Sequence, residues 1–504
     1  MDWSIILLSL ITFVTVGYLW VKKQYSFCEE NGIPYVKPTF PLGNIWGVGY
    51  KYHLSEILLE TYKKLKGQKK HVLGGIYLFT QHVYIPLDLD LLKNILVKDF
   101  QYFHDRGIYV NEKDDPLSAN LFALSGQRWK NVRSKLSPTF TSGKMKMMHS
   151  TIIAVAKEFQ DYLEPIAQKN EEVEIKDILA RFTTDVIGNC AFGVECNSLK
   201  DPNTEFRKIG KRAFEFNNLE FLRLFLIGIF PNLSRKLKAK VTKPEVSEFF
   251  MRLLRETIEY REKNNIKRND FLSLLIQIKN TGKLEGDNTD LGKMTFEELA
   301  AQTFLFFVAG FETSSSTMAF ALYELAQHQD IQDRAREEIN GILEKYNGEY
   351  TYDACMEMKY VDQVINETLR KYPVVDTLIR KAGQDYQLSN HDFVLKKDSI
   401  ILISAYGIHH DPEIYPDPEK FDPDRFTEEN IKNRHAYAWL PFGEGPRICV
   451  GMRFGMMQTR VGLANLLSKY RVKTTPKTPI PLVFSPSSSV LSAKSGMWLR
   501  LEKV

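Results

Sequence analysis

The stretch Pro441–Gly451, PFGEGPRICVG, decides how this chain is read. It sets one cysteine, Cys449, in a loop shaped by Gly443, Gly445, Pro446 and Gly451, just ahead of a helix-compatible run over 452–470. Glycines reach backbone angles closed to other residues, and proline stiffens the turn between them. A cysteine at a loop-to-helix junction has backbone N–H groups aimed at its sulfur, and those dipoles favour the thiolate over the thiol. An isolated intracellular cysteine is more often a buried structural residue. The residues around Cys449 weigh against that plainer reading.

They fill every fixed position of the pattern Phe-x-x-Gly-x-Arg-x-Cys-x-Gly, with Phe442, Gly445, Arg447, Cys449 and Gly451. In this the segment resembles the haem-ligating loop of the cytochrome P450 family. The resemblance implies that Cys449 is the axial ligand of the iron of haem b. A thiolate there pushes electron density toward bound oxygen and favours O–O cleavage. Phe442, Gly445, Arg447 and Gly451 would then belong to the cofactor site.

Ala309-Gly310-Phe311-Glu312-Thr313 lies within a proline-free run that starts at a capping box, Thr295 to Glu298. The middle of this run is apolar nearly all round, which predicts a helix crossing the core. Alone, the segment reads as a packing glycine beside solvated polar residues. Beside the cysteine loop it resembles the family's oxygen-activation segment. Gly310 would leave room for a flat cofactor and a diatomic ligand. Thr313 would return its hydroxyl to the carbonyl of Ala309 and loosen the helix. Glu312 and Thr313 would form a proton route to the oxygen.

Glu367 and Arg370 stand three residues apart on one helical face, a spacing usually worth about 0.2–0.5 kcal/mol at a surface. The segment FDPDRF at Phe421–Phe426 resembles a family segment whose arginine, here Arg425, joins that pair. The resemblance implies a buried ion triad of Glu367, Arg370 and Arg425, serving folding and haem retention. It also implies propionate partners: Trp129 and Arg133 of a Trp-x-x-x-Arg pattern, Arg380, Arg447 and the loop residue Arg106. A bidentate guanidinium suits a carboxylate. Each of these arginines is by default a solvated surface residue.

The chain has 504 residues, a net charge of +5 and dispersed basic residues, with no nucleic-acid motif. Its five cysteines are few, odd in number and scattered, so neither a disulfide framework nor a structural zinc site is expected. Ser4–Val21 is uncharged and mostly apolar, flanked by Trp3 and Trp20 and followed by Lys22 and Lys23. That suits a single transmembrane anchor with the rest of the chain in the cytosol. A cleaved signal peptide would show a basic residue before the apolar core and a small-residue cleavage site after it; neither is evident. The expected organisation is an anchor over 1–21, a proline-stiffened linker over 22–44 (Pro34, Pro38, Pro41) and one haem-binding domain over 45–504. The fold class is mainly α with a minor β region. Helices are expected from Thr295 and over 360–371, and strands near 72–86, 393–405 and the C-terminus.

DRGIYVNEKDDPLSANLF at 105–122, WKNVRSKLSPTFTSGKMKMM at 129–148 and FPLGNIWGVG at 40–49 resemble the insect microsomal branch linked to xenobiotics and plant toxins. This implies a monooxygenase on the endoplasmic reticulum membrane. It would insert one atom of O2 into lipophilic small molecules, with electrons from NADPH through NADPH–cytochrome P450 reductase and cytochrome b5 as a second donor. Expected pocket residues are Phe304, Phe307, Val308, Val374, Val375, Leu378 and Phe484. Any single phenylalanine is as readily core. The aromatic-rich 221–230, FLRLFLIGIF, is a candidate for dipping into the membrane interface, and Lys130, Lys135 and Arg453 for receiving an acidic reductase. Three other readings stay open: an isomerase or dehydratase of the same fold working without reductase, a hydroxylase of endogenous hormones or lipids, and a non-catalytic haem carrier.

Overall fold

The computed structural model describes residues 3–68, 71–286, 289–389 and 393–504. The described residues are mainly helical with three small sheets, and the chain divides into two compact units.

The first unit comprises residues 1–107, 376–418 and 435–447. It opens with the apolar helix Trp3–Tyr25, in which no residue is buried by protein. At 1.5 Å per residue such a helix is long enough to cross a bilayer. The helix runs past the expected boundary at 21, and the stretch after it is pinned down: Cys28 is fully buried, its N–H donates to Tyr77 Oη (2.9 Å), and Pro34 O accepts from Gly75 N (2.8 Å). A four-stranded sheet follows in the order Leu73–Leu78, Gln81–Pro86, Ile400–Ser404, Thr377–Lys381. Its first pair is an antiparallel hairpin, while Val83 pairs with Ile400 in parallel. The helix Leu54–Lys66, capped by His53 and Glu56, buries Leu58, Tyr62 and Leu65 in this unit's core. Gly74 is glycine because a Cβ there would collide with Leu65.

The second unit comprises residues 108–375, 419–434 and 448–504. Its axis is the helix Phe296–Gln327, started by the expected box: Thr295 Oγ1 accepts from Glu298 N (3.1 Å) and the Glu298 carboxylate from Thr295 N (3.2 Å). Most of this helix is buried, as its all-round apolar surface requires. Packed around it are Ile175–Ile187, Lys359–Lys371 and Met452–Leu467, the second stopping just ahead of Pro373. A three-stranded sheet, Glu172–Glu174, Trp498–Lys503, Tyr470–Thr474, closes the unit with the expected C-terminal strands. Glu172–Glu174 and Thr377–Lys381 were not expected as strands. The first is too short, and the second too uniformly half-buried, to show alternation.

Candidate active site

In the second unit Cys449 lies exposed three residues ahead of the helix Met452–Leu467, whose N-cap is Gly451. The other four cysteines are buried, and burial pushes their thiols up, Cys355 to about 11. Cys449 is thus the exposed sulfur among the chain's cysteines. The helix Gly126–Leu136 places buried Trp129 one turn before Arg133, whose Nη1 donates to the carbonyl of Ile448 (2.8 Å). Burial lowers the Arg133 pKa, and the nearby Cys449 charge opposes that. Trp129, Arg133, Cys449 and Gly451 are therefore all on elements of one unit. The expectation that Gly451 needs an unusual backbone is corrected: its φ is −89°, and a Cβ there would come no closer to protein than 3.9 Å, at Phe140. Neither backbone nor protein packing demands glycine there, whereas close approach of a flat cofactor would.

On the central helix, Thr313 Oγ1 donates to Ala309 O at 2.5 Å. Gln458 Nε2, from the helix that follows Cys449, donates to the carbonyl of Gly310 (3.1 Å). Ala309 is exposed, and Phe306, Gly310, Glu312 and Thr313 are half-exposed, in a helix otherwise largely buried. Their spacing of three to four residues marks one open face. A Cβ on Gly310 would run into the Ile187 side chain, so the glycine also lets the central helix pack closely against the helix Ile175–Ile187. Glu312 is paired with a residue the sequence did not single out, Lys176, at 2.5 Å.

Glu367 and Arg370 are both fully buried and joined by two bonds, Nε–Oε2 at 2.7 Å and Nη2–Oε1 at 2.9 Å. Arg425 Nε stands 3.6 Å from Glu367 Oε1, which also accepts the N–H of Asp422 (2.9 Å). The carboxylate is thus enclosed by donors, which is how a buried charge is tolerated.

In the first unit, Gly443 and Gly445 have φ of +71° and +72°, and Gly445 packs against the carbonyl of Leu96, so both need glycine. Phe442 packs edge-on to Trp439. Three arginines gather here. Arg447 Nε donates to His104 O (2.8 Å), and its Nη2 stands 3.7 Å from Asp105. Arg106 Nη2 reaches Arg447 O (3.4 Å). Arg380 is only 1% exposed, donates through Nη1 to Ile379 O (2.9 Å), and leaves buried Nε and Nη2 without a partner among the described residues. Burial, and then the Arg106 charge, depress its pKa to about 9. Buried cationic donors of this kind fit an anion such as a haem propionate. Within the second unit, the exposed sulfur and the open face of the central helix suit an iron ligand and a flat ring.

The pocket residues divide. Phe307 is fully buried, with ring centroids of Phe250, Phe206 and Phe311 at 5.0, 5.2 and 5.5 Å. Phe304, also buried, abuts Phe250 in the same cluster. Val308 is half-exposed on the central helix. Val374 is buried and accepts from Leu491 N (3.1 Å), Val375 is exposed, and Phe484 is buried near Tyr372. Leu378, in the first unit, lies against Gly443.

A family model described as Cytochrome P450 matches residues 38–500. Cytochrome P450 6a9 of Drosophila melanogaster is 47% identical over 98% of this chain and 98% of its own length. Probable cytochrome P450 6a14 of the same fly is 47% identical over 96% of each chain. Cytochrome P450 6A1 of Musca domestica is 44% identical over 99% of this chain and 98% of its own.

Proposed function

The chain belongs to the cytochrome P450 family and is a haem b monooxygenase fed by NADPH through a reductase; from that premise we propose which residues carry the reaction and what it acts on. Haem b, when bound, supplies the chemistry that activates O2 with two electrons. Cys449 provides the thiolate ligand, and Arg133, bonded to the carbonyl before it, steadies that loop. Arg380, Arg106, Arg447 and Trp129 hold the propionates, Arg380 with the nitrogens it leaves buried. Phe442, Gly445 and Gly451 shape the loop beside the ring. Ala309 offers a flat surface on the open helix face. Glu312 and Thr313 hold and move protons: Thr313 is lent to Ala309 O and Glu312 to Lys176, both bonds that can be exchanged. Glu367, Arg370 and Arg425 fix the fold around these elements.

The substrate class we favour is lipophilic foreign molecules such as plant toxins. The support is the resemblance to insect relatives and an anchor that brings the enzyme to a bilayer. Endoplasmic reticulum residence, a single-pass topology with a cytosolic catalytic body, and cytochrome b5 as a second electron donor belong to the same reading. Lys22 and Lys23 after the apolar helix support the topology.

The observation that carries the assignment of Cys449 is its exposure in the Arg133-supported loop, ahead of a helix tied through Gln458 to Gly310. The test is the carbon-monoxide difference spectrum of the reduced, membrane-expressed protein. A strongly red-shifted Soret band is expected, lost in Cys449→Ser. A Cys449→Ser spectrum identical to wild type would reject the ligand assignment.

A further inference from the structure

Lys176 is the second residue of the helix Ile175–Ile187 and reaches the central helix, where its Nζ meets Glu312 Oε1 at 2.5 Å. The two residues are 136 positions apart in sequence. Their side chains are 21% and 13% exposed, so the pair is sheltered yet touched by solvent. Opposite charges at this distance attract strongly.

The neighbouring charges are spoken for. Glu174, the N-cap, accepts from the backbone N–H groups of Lys176 (3.3 Å), Asp177 (2.7 Å) and Met497 (2.9 Å). Asp177 is bonded by Arg181 and Arg207, each at 2.6 Å, and by Lys211 at 3.0 Å. These cations outweigh the effect of burial and hold its carboxyl at about 2. Lys176 and Glu312 are thereby left to each other. Thr313, the next residue, is occupied with Ala309 O. Both hydrogen-bonding members of the relay are therefore seen at rest, one on its own helix and one on Lys176.

We propose that Lys176 is the positioning residue of the proton relay. It parks the Glu312 side chain at the edge that solvent reaches. When the pair opens, a proton from solvent joins that carboxylate and leaves toward the Thr313 hydroxyl, and Glu312 returns to Lys176. One proton enters and one leaves; no electrons move in this step. The proposal rests on reading Glu312 and Thr313 as the relay, and adds to it a residue from a different helix.

The experiment uses the full-length enzyme in membranes with reductase, and the probe reaction is NADPH-driven reduction of O2. NADPH consumption, the share of electrons released as hydrogen peroxide and the solvent deuterium isotope effect are measured for wild type, K176Q, K176R, E312Q and K176Q/E312Q. K176Q is expected to raise the peroxide share by about three- to tenfold, less than the full worth of a proton-transfer group because Lys176 acts through Glu312. The isotope effect rises with it and the carbon-monoxide spectrum is unchanged. K176R restores most of the loss, and the double variant is no worse than E312Q. Wild-type behaviour in K176Q with a defect in E312Q would overturn the role of Lys176 and leave the relay standing. Wild-type behaviour in both would remove the relay reading as well. If K176Q does not retain haem, the uncharged, similarly long K176M decides; loss of haem there too would make Lys176 structural and overturn the proposal.

Discussion

Arg380 shows most directly what one residue can reveal about a bound group. A guanidinium has five donors and stays charged, so enclosing it without acceptors is costly. Here two of its nitrogens are buried with no partner among the described residues, and burial together with Arg106 brings its pKa down to about 9. Each unmet buried donor costs about 1–3 kcal/mol or more when charged. A ligand's carboxylate, as proposed for a haem propionate, would complete the set. Arg380→Leu should therefore have opposite effects on the two forms of the enzyme. The haem-free protein should melt at a higher temperature than haem-free wild type, while haem transfer from the variant to an excess acceptor protein should be faster by about tenfold, one lost charge-assisted bond. Equal melting and equal transfer rates would mean that Arg380 meets no propionate.

Helices were legible in the sequence where their signals were local. Thr295 and Glu298 announced the start of the central helix, and Pro373 the end of Lys359–Lys371. What lay beyond reach was the direction each face takes, because that depends on neighbours far along the chain. Gly310 packs against Ile187, and Glu312 pairs with Lys176; neither relation leaves a trace in local periodicity. The segment 221–230 makes the same point. Ile227 is buried and Leu224 half-buried, whereas Phe221, Leu222, Leu226 and Phe230 are exposed on or beside the helix Asn218–Ile229. Leu233 and Leu237 continue the exposed apolar surface. A patch of this kind on a membrane-anchored enzyme is suited to the lipid interface. In an anchor-deleted form, Leu222→Ser with Leu226→Ser should lower partitioning onto phospholipid vesicles by about tenfold or more, each leucine being worth about 1.5–3 kcal/mol when fully buried. Unchanged partitioning would remove this element from the membrane.

At the scale of the whole molecule the mild net charge of +5 says little about where the reductase binds; the placement of individual cations says more. Lys130, Lys135 and Arg453 were alike in sequence as candidates, and their surroundings separate them. Lys135 Nζ is bonded to Lys293 O at 2.7 Å, stands 3.9 Å from Glu298 and is 13% exposed, so it is committed within the fold. Lys130 and Arg453 are exposed, on the helix that carries Arg133 and on the helix that follows Cys449. Exposed charges steer a partner over about a Debye length, about 8–10 Å at ordinary salt, and their effect fades as salt rises. Reversing both, with Lys130→Glu and Arg453→Glu, should slow reduction by reductase at low salt by about tenfold, the lower end of what steering contributes, and flatten its dependence on ionic strength. Lys135→Glu should leave the salt slope as it is in wild type and act on stability instead. If the double reversal kept the wild-type rate and slope, electrons would have to arrive over another surface, and these two cations would be no more than solvated charge.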